Sequence, residues 1–177
     1  LFSGNFSGQG TAYIDFFNDD SELFLATVDG TFAFADINNL ENFLKISSNF
    51  SDLVTYNEFY TDYQYGIKDI LIYKNELFVS FIGKKKKDCY NIKILKSKID
   101  KEKLLFKVFY ETPECVDKNN DHGYLAHQGG GGRMFVFENS LLLTTGEFRN
   151  RPLAQNKESA YGKILNIDLN SKNMNIV

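Results

Sequence analysis

Tryptophan is absent from these 177 residues, and proline, cysteine, methionine and histidine occur only twice each. Each shortage narrows the reading. His122 and His127 are the sole histidines, so the usual general base at neutral pH has two candidates. The net charge of −3 supplies no basic face and argues against nucleic acid as a partner. No apolar stretch approaches the roughly 20 residues of a membrane-spanning helix. No secretory leader is visible. The chain opens on Leu1 and stops inside an apparent strand, so it is expected to be a fragment or processed piece.

What is abundant is phenylalanine and tyrosine, which make up the whole 15 % aromatic content. With Ile, Val and Thr they favour pleated, half-buried surfaces. Glycine gathers at turns, which is not the composition of a disordered chain.

Three segments repeat: Ala12–Thr27, Lys68–Phe81 and Arg133–Thr145. Each is an apolar strand, a short turn rich in Asn and acidic or Ser residues, and a second apolar strand. Aligning Leu23, Leu77 and Leu141 gives intervals of 54 and 64 residues. Usual propeller repeats run roughly 40–50 residues, so long loops are expected. Each unit continues with two more strands: Thr31–Ile37 and Asn42–Ser47, then Tyr90–Ile99 and Leu104–Tyr110, then Lys163–Leu169 and Asn173–Val177. The expected fold is all-β, a propeller of four-stranded antiparallel blades at about 10–48, 66–112 and 130–177, within one domain. A sandwich or barrel with similar hairpins is the alternative. Three blades do not close a ring of typically 4–8, so the ring needs a longer chain or a second one.

In such blades the first-to-second and third-to-fourth turns share one face and the remaining connections share the other. The expected short turns are Asn18–Glu22, Lys74–Glu76, Glu138–Ser140 and Asp100–Lys103. The long connections Asn49–Gly66, Pro113–Gly132 and Gly146–Gly162 fall on the opposite face. Long loops gathered on one side of a rigid scaffold carry function.

Cys89 and Cys115 are equidistant from the turn expected at Asp100–Lys103. Residues so placed across an antiparallel hairpin lie near disulfide distance, so a Cys89–Cys115 bridge and an oxidising compartment are expected. Pro113 could shift that register, and two unconnected thiols are the alternative.

Several residues on the long-loop face carry candidate chemistry. A loop entering a central strand would set His127 near the axis, with a surface or structural histidine as the alternative; His122 reads as a surface residue. Gly129–Gly132 let the backbone pass close to a neighbour or a ligand. No helix follows them, so they are not a phosphate loop. Arg133 reads as a structural ion-pair partner or a ligand contact. Glu147, Arg149, Asn150, Arg151, Gln155, Asn156 and Lys157 share one loop. Its paired arginines suit carboxylate-bearing ligands, or are solvated charge. Lys84–Lys87 reads as a solvated loop, and Asn18–Asp20 as a hairpin turn without a calcium-binding pattern.

The ordered run Gly131-Gly-Arg-Met, Leu142-Leu-Thr-Thr-Gly-Glu, Arg149-Asn-Arg-Pro-Leu-Ala-Gln-Asn and Gly162-Lys-Ile-Leu-Asn-Ile-Asp resembles the soluble glucose/sorbosone dehydrogenase family. The match covers about Ala126–Leu169. It implies a six-bladed propeller, periplasmic or secreted, that oxidises a sugar by hydride transfer to the quinone PQQ, with calcium. It further implies His127 as the base on the sugar hydroxyl. Gln128, Arg133, Glu147, Arg149, Arg151 and Gln155 are the implied cofactor-side residues, and no metal ligand is identified. The chain departs from the pattern in three places. His127 stands six residues before Arg133, with Gly129 where the base is expected, and Glu147 and Asn166 replace Asp and Arg. A non-catalytic propeller binding a carbohydrate or protein partner on its long-loop face is the alternative function. A hydrolase lacks any nucleophile–base constellation here.

Overall fold

The computed structural model describes residues 12–17, 20–54, 66–124 and 127–177. Strands β1 (Ala12–Phe17), β2 (Glu22–Thr27), β3 (Phe32–Asp36) and β4 (Leu44–Ser48) form the first antiparallel blade in sequence order. The second begins with β5 (Ile67–Tyr73), β6 (Glu76–Lys86) and β7 (Cys89–Lys98). The chain then leaves the blade: β8 (Lys103–Leu104) pairs in parallel with β4. It returns as β9 (Lys107–Glu111), the outer strand on β7, followed by β10 (Val116–Asp117) on the same strand. A small hairpin, β11 (Asn119–Asn120) and β12 (Gly123–Tyr124), precedes the third blade. That blade is β13 (Gly131–Phe137), β14 (Ser140–Thr145), β15 (Ile164–Asp168) and β16 (Met174–Ile176).

The side-chain alternation of β6 explains how the blades stack. Leu77, Val79 and Phe81 pack with Phe24, Phe32 and Phe50 of the first blade's side. Phe78 and Ile82 pack with Leu141, Leu143 and Leu165 of the third. Successive strand residues face opposite ways, so a strand buried on both faces must be apolar throughout. In the middle blade β6 is buried in this way from Leu77 to Gly83, with Ser80 its one hydroxyl, and in the first blade β3 is so from Phe32 to Ala35. The outer faces of the flanking blades stay open, with Ile14 and Phe16 exposed on β1 and Phe135 and Phe137 on β13.

Two expectations need correction. The strand expected over 104–110 is split, because Leu104 and Phe106 are captured by the first blade. Asn49 brackets Phe106, donating from Nδ2 to its carbonyl at 3.1 Å and accepting its N–H at 2.7 Å. The Phe106 ring lies 5.1 Å from Phe32. An aromatic side chain with a buried site next door outweighs continuation of a local strand. The lysine run is not a loop either. Lys84–Lys86 extend β6, and the turn shrinks to Lys87 and Asp88, the latter at φ 55°. Lys85 is neutralised there by Glu111 at 3.3 Å.

Aspartates join adjacent blades at their inner strands, Asp15 half-buried and Asp69 buried. Asp15 of β1 accepts the Ile72 N–H of β5 at 2.7 Å. Asp69 of β5 accepts the Met134 N–H of β13 at 2.7 Å and pairs with Arg133 at 2.9 Å. Burial pushes the Asp69 carboxyl above its usual range, against the lowering by Met134 N–H and the Arg133 guanidinium. Asp69→Ala is expected to cost about 2 kcal/mol, because a buried N–H then lacks its acceptor; urea unfolding at neutral pH measures it. The pH dependence has a definite sign. A raised folded-state pKa stabilises the fold below the unfolded value of 3.8, and that contribution is lost as pH rises through the folded value. Asp69→Asn should flatten this segment of the stability–pH curve.

Candidate functional site

A cystine anchors the long-loop face. Cys89 and Cys115 are bonded, with Cα atoms 5.5 Å apart. The pairing follows the register Lys93↔Glu111 of β7 and β9, but the ladder does not continue to it. Past Pro113 the strand re-pairs as Val116↔Tyr90 and Asp117↔Cys89, a slip of two residues.

Glu114, next to Cys115, holds the 146–163 loop. Its carboxylate accepts Ser159 Oγ at 2.6 Å and the Ala160 N–H at 2.5 Å, and its carbonyl accepts Tyr161 OH at 2.7 Å. Tyr161 is fully buried and packs edge-on to Phe148 at 5.3 Å. Burial pushes the Tyr161 and Tyr110 phenols up, Tyr110 to about 12, so neither serves as an acid or base near neutral pH.

Phe148 is the plug that shapes the loop. Its side chain is buried, while it and Arg149 adopt positive φ of 53° and 67°. Left-handed backbone at two consecutive bulky residues is strained and persists only where surrounding contacts hold it. The ring supplies those contacts. Glu147 and Arg149 flank it, and Pro152 then opens a four-residue helix, α1 (Pro152–Gln155). Lys163 Nζ closes the loop by donating to the carbonyls of Ala154 at 2.8 Å and Tyr161 at 3.0 Å.

The glycine run docks onto this loop. His127–Gly130 form a 3-10 turn. Gly130 accepts the Gly146 N–H at 2.8 Å and Gly129 the Phe148 N–H at 3.1 Å. Gly132 takes φ +116°, and its carbonyl accepts Ser80 Oγ of the middle blade at 2.6 Å. The glycines thus form a seam of backbone against backbone.

A cavity of about 380 Å³ lies on this face, lined by His122, Glu147, Arg149 and Arg151. The structure therefore gathers three of the residues singled out in the sequence. His122, read there as a surface residue, joins them, because the β11–β12 hairpin carries it to the loop. Arg133 does not line the cavity; it is engaged by Asp69. Gln155 sits exposed on α1, outside the lining. The side chains of His127 and Gln128 lie outside what the structure describes, although their backbone is in the docked turn. Among the described residues no three His, Cys, Asp or Glu side chains are grouped to hold a metal ion.

Sequence reasoning missed Asp15 and Asp69. They are 54 residues apart, the interval of Leu23 to Leu77, and a repeated acid inside apolar strands was the available signal.

No protein-family model matches this sequence, nor does any curated protein. Its backbone is similar to solved structures. One is a glucose dehydrogenase, at TM-score 0.66 and 15 % identity over 91 % of this chain and 48 % of that one. A second glucose dehydrogenase gives 0.62 and 17 % over 89 % and 44 %. The soluble aldose sugar dehydrogenase of Escherichia coli, in its apo form, gives 0.60 and 14 % over 90 % and 47 %. The fold is a β-propeller. The chain spans about half the length of each of these structures and contributes three blades. In the propeller, β1, β5 and β13 are the inner strands, and the cavity belongs to the face of the long connections. No helix among the described residues is long and apolar enough to cross a membrane.

Proposed function

We propose that this chain forms part of a sugar dehydrogenase-like oxidoreductase whose long-loop face binds PQQ and an aldose. One observation carries the reading: the turn bearing His127 is hydrogen-bonded to the loop bearing Glu147 and Arg149, beside a cavity with two guanidinium groups. The motif order and the propeller fold support it. Arginine forks match carboxylates in bidentate geometry, so Arg149 and Arg151 fit a tricarboxylated quinone. Held there, the quinone would supply the acceptor for a hydride from the sugar carbon. His127 takes the proton of the sugar hydroxyl, and Gln128 belongs to the same turn. Arg133 and Gln155 do not line the cavity and are assigned no contact. Calcium is assigned no ligands. The disulfide fits an oxidising compartment, hence a periplasmic or secreted protein acting on a small-molecule sugar.

The non-catalytic alternative is favoured by the glycine seam, since Gly130 and Gly131 are already accounted for by contacts to Phe148 and Gly146. Dye reduction across a panel of aldoses, with PQQ and calcium added to the whole protein, separates the two. His127→Ala should lower turnover by about 10²- to 10⁴-fold with quinone binding retained. The double change Arg149→Ala, Arg151→Ala should weaken quinone binding, read by absorbance titration, by about tenfold or more. Absence of both quinone binding and turnover returns the chain to the binding-module reading. A loss of turnover in His122→Ala but not in His127→Ala moves the base to His122.

A further inference from the structure

A second concavity, of about 790 Å³, opens on the short-turn face, opposite the candidate site. It lies between the outer edge of the middle blade and the β15–β16 turn. Leu105 and Val108 are 56 % and 49 % exposed in it. Lys98, Lys103, Lys107 and Lys172 are exposed around it. Its carboxylates are already engaged. Glu76 pairs with Lys96 at 2.9 Å, and Asp100 accepts the Glu102 and Lys103 N–H groups at 2.8 and 3.4 Å. A chain of net charge −3 thus concentrates ammonium groups at one groove. Lys96 and Lys172 are also held over the Phe109 ring at 5.6 and 5.7 Å, which restrains both.

The wall of the groove is β9, which is hydrogen-bonded to β7 on one side. Its other edge is free of any strand among the described residues. An open edge beside a groove takes an extended segment, which completes the backbone ladder and sends alternate side chains to opposite sides. A concave slot between two blades suits a strand, whereas a flat lipid surface needs a protruding patch.

We propose that this groove binds an extended acidic segment of a partner protein by strand addition to β9. Alternate carboxylates meet Lys98, Lys107 and Lys172, and the intervening apolar side chains cover Leu105 and Val108. The test uses the whole chain and a fluorescein-labelled peptide of about ten residues alternating Glu and Val. Saturable anisotropy is expected, weakening about tenfold between about 50 and 300 mM salt as the charges are screened. The combined change Lys98→Glu, Lys107→Glu, Lys172→Glu should abolish binding while circular dichroism stays unchanged, since all three side chains are exposed. Amide resonances of Lys107–Glu111 should shift on titration. The proposal is overturned by equal binding of a Gln/Val peptide, by undiminished binding to the triple variant, by binding of phosphatidylglycerol vesicles in place of the peptide, or by no binding.

Discussion

Gly146→Ala should destabilise the protein by about 3–5 kcal/mol, a large share of the stability of an ordinary domain. The added methyl would stand 1.8 Å from the Gly129 carbonyl oxygen, and the neighbour is backbone with no rotamer to offer. Nor is the glycine free to retreat. Its N–H donates to Gly130 at 2.8 Å and its carbonyl accepts the Gly162 N–H at 3.2 Å. Moving it breaks the dock between the glycine run and the loop that carries Glu147 and Arg149. Gly129→Ala is the internal control. Its added methyl would meet backbone atoms at 3.7 Å, an ordinary contact, so a change under about 1 kcal/mol is expected. Guanidinium unfolding of the two variants decides it, and equal midpoints would falsify the seam.

Removing the cystine should cost about 3 kcal/mol, the scale for a bridge closing a loop of this length, here a separation of 26 residues. The consequence is not confined to β7. Glu114 sits between Cys115 and the loop, holding Ser159 and Ala160. Cys89→Ser with Cys115→Ser is therefore expected to lower the melting temperature and to expose residues 146–163 to limited proteolysis. Glu114→Ala separates the two effects. It should open the same loop to protease while the disulfide stays intact. If proteolysis of the loop is unchanged in both variants, the cystine stabilises its own hairpin alone.

The period-two pattern of Ala12–Thr27, Lys68–Phe81 and Arg133–Thr145 made the hairpins legible, because an apolar strand followed by a turn is a local instruction. The turn between β5 and β6 is as tight as that pattern requires: Lys74 and Asn75 both take positive φ in a two-residue hairpin turn. The long connections were legible for the same reason, as stretches where that pattern lapses. What local pattern cannot contain is the identity of a distant partner. Phe106 looked like mid-strand because its neighbours are strand-like, yet Asn49 and Phe32 claim it. His122 looked like a loop tip because the sequence around it is polar, yet the loop beyond Phe148 comes to meet it.

The sequence by itself determined three four-stranded repeats, the side on which their long loops gather, and two cysteines close enough to bond. These follow from alternation, turn chemistry and chain distance, all of which act over a few residues or along one hairpin. The tertiary structure alone decided which charges join the blades and which line a cavity. Asp69 and Arg133 are spent on the seam between blades, while Arg149 and Arg151 remain at a cavity. The reason is desolvation of Asp69, whose side chain is 9 % exposed and so needs its partners, whereas that of Arg133 stays 73 % exposed. A charged side chain is engaged or left open according to what another blade brings against it, and that depends on the packing of segments dozens of residues apart.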